Sequence, residues 1–262
     1  MFYNSFQNRT IITGVIEAID PIHIGAASKE SLNPVDLDMH VLKNAAGNPI
    51  IPGSSLKGVV RSRFEAVLRT LGERVCDIFN ENDENCTSKK VINEVRENNG
   101  ISDEQKAEML YKKSCTVCKL FGGRAIAGKL RFKDCNYIGE KFVPERRDGV
   151  GIDRDTGAAK DRAKYDFEII PKGSRFDFTL IAENLDKEQM PYLDFILDML
   201  QGNGITEGDY ISIGGKTTRG LGRIRLDITG RDDITSEKMI DRIRARLEGY
   251  KTAKQDEKAG GC

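Results

Sequence analysis

The chain has 262 residues, enough for one large domain or two small ones, and 39% hydrophobic with 31% charged residues excludes a fibre or an extended disordered chain. Forty-one Lys and Arg cancel 41 Asp and Glu, so bulk charge draws no partner and any nucleic-acid role rests on local patches. No uncharged apolar run approaches ~18 residues, and MFYNSFQNRT lacks the basic-then-apolar layout of a secretory signal, so a cytoplasmic protein with no membrane contact is expected.

Arg9 to Asp20 is rich in β-branched residues and reads as a strand that ends at the Asp20-Pro21 turn. Pro52-Gly53-Ser54-Ser55 then opens a helix with a serine at its N-cap. Leu56, Val60, Phe64, Val67 and Leu71 recur at helical spacing until Gly72 stops it. Leu130 and Phe132 alternate with Lys129, Arg131 and Lys133 in a strand with one apolar and one cationic face. Phe176, Phe178 and Leu180 mark a second such strand, broken at Ile181. Leu193, Ile196, Leu197 and Leu200 form the stripe of a second long helix ended by Gly202, and Leu221 to Ile228 is a final strand. The order strand, helix, strands, helix, strand fits an α+β, ferredoxin-like sheet with helices on one face. Two insertions interrupt it, at about 73–118 and 146–170. After Gly230, 231–262 reads as a helix carrying Ile240, Ile243 and Leu247, followed by a disordered tail.

Charge is segregated along the chain. Lys112 to Lys133 holds seven Lys and Arg and no carboxylate, and Ile211 to Leu226 carries Lys216, Arg219, Arg223 and Arg225, again with none. Phosphates favour such stretches, whereas solvated faces would use them for nothing further. Glu73 to Glu108 holds ten acids against five bases.

Six cysteines in a cytoplasmic chain point to reduced thiols or a metal before disulfides. Cys115 and Cys118 form a CxxC, and Cys76 and Cys86 lie upstream in the same insertion. Four thiolates suit one tetrahedral, structural zinc, and the alternatives are a redox CxxC pair or unrelated free thiols.

Three glycine-containing motifs carry the functional information. IPGSSLKGVVRSR, 51–63, sets Ser54, Ser55 and free backbone N–H groups at a helix start, with Lys57 and Arg61 four residues apart, a phosphate site or a plain capped helix. GGKTTRGLG, 214–222, allows a ligand close to the backbone at Gly214, Gly215, Gly220 and Gly222 and supplies Lys216 and Arg219. Its GKT is no nucleotide-binding Walker loop, because Tyr210 stands where the first glycine belongs and a strand follows. The third, GIDRDTGAAKDRAKYDFEIIPKGSRF, 151–176, is a polar hairpin-like excursion.

PGSSLKGxxR, IDRxTGxA and GGxxxRGxG in this order, with PIHIGA at 21–26 and the four-cysteine insertion, resemble the RAMP superfamily, in particular the backbone subunit of type III CRISPR effector complexes. The resemblance spans about 12–228 and implies a modified ferredoxin-like, RNA-recognition-like fold over 1–230. The cysteine segment would be its zinc-binding element and 146–170 its thumb. It further implies copies of the chain polymerised along a guide RNA, beside other type III effector subunits. Lys57, Arg61 and the 214–222 loop would hold the guide, and Arg154 would lie on the thumb that divides the guide–target duplex. The resemblance also implies cleavage of target RNA. Asp38 in SLNPVDLDMHVLKNAAGNP matches the catalytic aspartate, Asp36 is the reserve, and a divalent cation (Mg or Mn) assists. His40 falls two residues from Asp38, and His23 reads as a hydrogen-bonded structural residue. A non-cleaving guide scaffold and a guide-processing ribonuclease that uses histidine are the alternatives. The balanced charge and the terminal helix depart from the family pattern.

Overall fold

The computed structural model describes residues 5–25, 39–79, 86 and 88–259, without the side chains of 162 and 249–259. Its centre is a five-stranded antiparallel sheet in the order β3-β7-β1-β9-β8. These are β1 (Asn8–Ala18), β3 (Leu130–Phe132), β7 (Arg175–Glu183), β8 (Ile211–Ser212) and β9 (Arg223–Thr235). β1 pairs with β7 from Arg9↔Glu183 to Glu17↔Arg175, and with β9 from Asn8↔Thr235 to Ala18↔Ile224. Alternation decides the faces: Ile12, Ile16, Phe176, Phe178, Leu180, Ile224 and Leu226 turn to the covered side. The open face is laced by ion pairs such as Arg225–Glu17 at 2.9 Å and Arg131–Glu183.

Helices α1 (Gly53–Thr70), α4 (Thr116–Phe121) and α5 (Met190–Gln201) contribute to the covered side. Phe64 of α1 packs at their meeting point, with ring centroids 5.9 Å from Phe121, 5.7 Å from Tyr192 and 6.3 Å from Phe195. Four elements of the sequence reading are altered. Helix α1 begins at Gly53 with Pro52 at its N-cap and no serine side chain capping it; the Gly53 N–H instead donates to Asp134 Oδ1 at 2.8 Å. β7 continues through Ile181, which stands on the open face opposite Ile11. β9 runs across Gly230 to Thr235, because a register shift after Thr13 lets it follow β1 to its start. α6 (Ser236–Ala259) therefore begins beyond the strand. The fourth is the cysteine insertion, which holds α2 (Lys89–Arg96) and α3 (Asp103–Lys113) around Ile92, Val95 and Leu110. Ser102 and Gln105 form a reciprocal capping box at the start of α3.

Outside the main sheet, β2 (Ile50–Ile51) pairs with β4 (Cys135–Asn136). β5 (Glu145–Ile152) pairs with β6 (Ala159–Ile169) as a separate two-stranded hairpin. No described helix is long and apolar enough to cross a membrane.

Candidate nucleic-acid interface

The body-side end of β6 draws together segments that lie far apart in the chain. Ile170 bridges to Ile22, Phe167 bridges to Met39, and the Glu168 N–H donates to the Met39 carbonyl at 2.9 Å. Below Ile22, His23 is buried and its Nδ1 lies 2.7 Å from the Glu168 carbonyl. His23 is thus the hydrogen-bonded structural residue that the sequence reading expects. Burial lowers its proton affinity below the ordinary histidine value of 6.5, and Lys216 adds to that against the opposing pull of Glu168.

The 214–222 loop closes on this place from the other side. The Gly215 N–H donates to the His23 carbonyl at 2.8 Å, and the Gly222 N–H to the Pro21 carbonyl at 2.9 Å. Gly214, just before the first contact, and Gly222, at the second, are obligatory. Gly214 (φ +79°) and Gly222 (φ +95°) occupy the left-handed region, and a Cβ on either would stand 2.3 Å from the carbonyl oxygen of His23 or Ile213. Lys216 also has a positive φ, 61°. This conformation costs a lysine backbone strain, and it lays the ammonium over the Phe167 ring, 4.4 Å from its centroid and 5.6 Å from that of Tyr165. Arg219 donates to the Tyr165 hydroxyl. One cation therefore stands over a stacked Tyr165–Phe167 pair with centroids 6.0 Å apart, and a second binds its hydroxyl.

The segment that follows Asp38 in the sequence is anchored by one carboxylate. Glu168 accepts from the Val41 N–H at 3.0 Å and from Lys43 Nζ at 3.1 Å, and His40 Nδ1 lies 3.5 Å away. Burial works to raise the Glu168 carboxyl, but the Lys43 and Val41 hydrogen bonds prevail and hold it below the usual carboxylate range. Asp38 and Asp36 lie outside the described residues; Met39, next in sequence to Asp38, bridges to Phe167 and has its sulfur 3.3 Å from Lys216 Nζ.

Arg154 is exposed in the turn of the β5–β6 hairpin, where Asp153 Oδ1 accepts from the backbone of Asp155 and Thr156, both at 3.0 Å. Ser54 is exposed and Ser55 half-buried in the first turn of α1. Lys57 Nζ donates to the Leu130 carbonyl of β3 at 3.2 Å, so these residues sit beside β3 and not at the glycine loop. Arg61 departs further from the sequence reading. Its side chain is 12% exposed and its donors turn inward, to Glu65, Gly122 and Cys118.

The two cationic runs are likewise smaller than they read. Lys129 is buried against Gln189 Oε1 at 2.6 Å, Lys112 pairs with Glu108 at 2.7 Å and Arg131 pairs with Glu183. Arg223 pairs with Asp20, and Arg225 with Glu17. Glu183, Asp20 and Glu17 come from distant positions, which counting along the run does not register. Tyr165, Phe167, Lys43 and Glu168 escaped the sequence reading, although the alternation in KYDFEII is a strand signal that could have found all but Lys43.

Cys76, Cys86, Cys115 and Cys118 are buried, free of disulfides, and bring their sulfurs within 4.8 Å of one another. Cys76 Sγ lies 3.2 Å from Cys118 Sγ and 3.7 Å from Cys115 Sγ. A tetrahedral ion with metal–sulfur bonds of about 2.3 Å needs sulfurs roughly 3.8 Å apart, so the donor set fits one metal ion. The fifth described cysteine, Cys135, is separate, and desolvation pushes its thiol up to about 12.

A family model described as RAMP superfamily matches residues 15–225. The chain is 26% identical to the CRISPR system Cms endoribonuclease Csm3 of Methanocaldococcus jannaschii, over 96% of this chain and 89% of that protein. Proteins of the same name from Enterococcus italicus and Methanothermobacter thermautotrophicus are each 26% identical. The first match covers 86% of this chain and 93% of the relative, the second 84% of each.

Proposed function

Because the chain belongs to the RAMP superfamily, we propose that it is the guide-RNA-binding backbone subunit of a type III CRISPR effector complex and cleaves RNA paired to the guide. The observation that carries this reading is the convergence of three motifs, PIHIG, the end of the IDR hairpin and GGKTTRG, on the residues that follow Asp38. The relatives' shared name, endoribonuclease, agrees with it. The frame is ferredoxin-like: β1, α1, β3, β7, α5 and β9 follow in that order, and the strands lie β3-β7-β1-β9, which supports the reading.

Lys216 and Arg219, with Lys57 and the N–H groups of the Ser54–Ser55 turn, hold the guide backbone. The glycines of 214–222 let phosphate approach the main chain. The β5–β6 hairpin is the thumb, and Arg154 at its tip enters the guide–target duplex and displaces a base. Asp38, with Asp36 in reserve, accepts the proton of a ribose 2′-hydroxyl beside that displaced base. The new O2′–P bond forms as the P–O5′ bond breaks, and the leaving 5′-oxygen takes a proton, so that the products are a 2′,3′-cyclic phosphate and a 5′-hydroxyl. A divalent cation, Mg or Mn, supplies charge stabilisation at the phosphate. The four cysteines hold a structural zinc. Copies of the chain line the guide beside other effector subunits, in the cytoplasm. Histidine chemistry finds no support at His23, which is buried with its Nδ1 against a carbonyl.

The test is the complex assembled with guide and partner subunits and given end-labelled complementary RNA. Cuts at a regular spacing, with 2′,3′-cyclic phosphate ends, are expected. Binding without any cut would make the chain a scaffold.

A further inference from the structure

The side chain that departs furthest from the RNA reading points to a second role. Arg61 projects from the middle of α1 with three donors separately engaged. Nε donates to Glu65 Oε1 at 2.8 Å, Nη1 donates to the Gly122 carbonyl at 2.7 Å, and Nη2 is directed at Cys118 Sγ, 3.6 Å away. A planar fork can satisfy three such acceptors at fixed angles, whereas a lysine ammonium reaches them only as a point charge.

We infer that Arg61 is a positioning residue of the metal centre formed by Cys76, Cys86, Cys115 and Cys118, and not a ligand of RNA phosphate; this rests on the reading of those cysteines as a zinc site. Four thiolates around a dication leave a net charge of minus two at a place where all four sulfurs are buried, and buried charge demands a compensating partner. The guanidinium supplies positive charge within hydrogen-bonding reach of one of the four sulfurs. An N–H directed at a ligand sulfur withdraws charge from it and fixes its orientation, as partners of metal ligands generally do. The bond to Gly122 acts on the same ligand through the backbone, because Gly122 closes α4, the helix that carries Cys118. Glu65 holds the fork from its other edge. The sulfur, the turn behind it and the helix α1 are thereby tied together by one side chain.

The experiment compares the full chain with Arg61→Met, Arg61→Lys and Glu65→Gln, all purified without chelator. Zinc content, zinc affinity in competition with a chromophoric chelator, and the absorption spectrum of the cobalt-substituted protein are the readouts. Wild type should hold one zinc per chain. Arg61→Met should weaken zinc by about 10–100-fold and move the sulfur-to-cobalt charge-transfer band to lower energy, because the ligand sulfur loses its donor. Arg61→Lys should keep the band displaced and recover only part of the affinity, and it carries the test if the methionine variant fails to fold. Glu65→Gln should match wild type in both. Wild-type zinc affinity and an unshifted band in Arg61→Met would overturn the inference. So would a loss of guide-RNA affinity with a shallower salt dependence and an unchanged zinc site, which would mark Arg61 as a phosphate ligand. A wild-type chain without zinc would instead bring down the zinc reading, and this inference with it.

Discussion

Lys216 shows what a single residue contributes and what the sequence conveys of it. Its place in a glycine-rich loop with Arg219 is plain from the letters, but its left-handed backbone and its seat over Phe167 follow from contacts with a strand some 50 positions away. Lys216→Ala and Arg219→Ala should each weaken guide-RNA binding and reduce the slope of log affinity against log salt by about 0.7. Fluorescence anisotropy across a salt series checks this. His23, under the same loop, sets a pH dependence. Its folded proton affinity is below the ordinary 6.5, so as pH falls through that value the unfolded chain binds a proton that the folded chain refuses, and stability declines. The Glu168 carboxyl, held low, contributes stability above the ordinary 4.5 that disappears as pH falls through its lower folded value. Urea midpoints should drop between about pH 7 and 5.5, with a shallower drop in His23→Gln.

Among the elements, α1 was legible from its apolar period and its glycine stop, and so were the strands that alternate. Its cap was not. The sequence offers Ser54 and Ser55 beside the helix start, yet the acceptor is Asp134, 81 positions away. Asp134→Ala should therefore cost about 1 kcal/mol, and Ser54→Ala less than about 0.5 kcal/mol, as read from chemical unfolding. In the cysteine insertion, α2 and α3 were hidden because their buried surface is small and most of their positions are polar or charged. The Ser88 cap and the Ser102–Gln105 box were the local signals. Periodicity reports an element that buries a full face, and it reports poorly on one that leans on two or three residues.

At the scale of the molecule, chain order alone supported the mixed α/β architecture, because the elements that cross the sheet keep their sequence through both insertions. The distribution of charge was not legible, since ion pairs such as Arg225–Glu17 join strands 208 positions apart. The candidate site was legible as motifs and not as a place; PIHIG, KYDFEII and GGKTTRG meet only through the pairing of β6 with the body. The cysteine cluster ties the loop after α1 to α4, so on the zinc reading its metal is part of the folding free energy. Chelation should lower the melting temperature reversibly, with recovery on added zinc, as calorimetry would record.

The measurement that bears most directly on the central claim is cleavage and binding of labelled complementary RNA by the assembled complex, with Asp38→Ala and Asp36→Ala set beside wild type. The account predicts that Asp38→Ala binds target as wild type does and loses cleavage by at least about 100-fold, the scale of one lost proton acceptor, while Asp36→Ala still cuts. Undiminished cleavage by Asp38→Ala, at the same positions and rate, would contradict it.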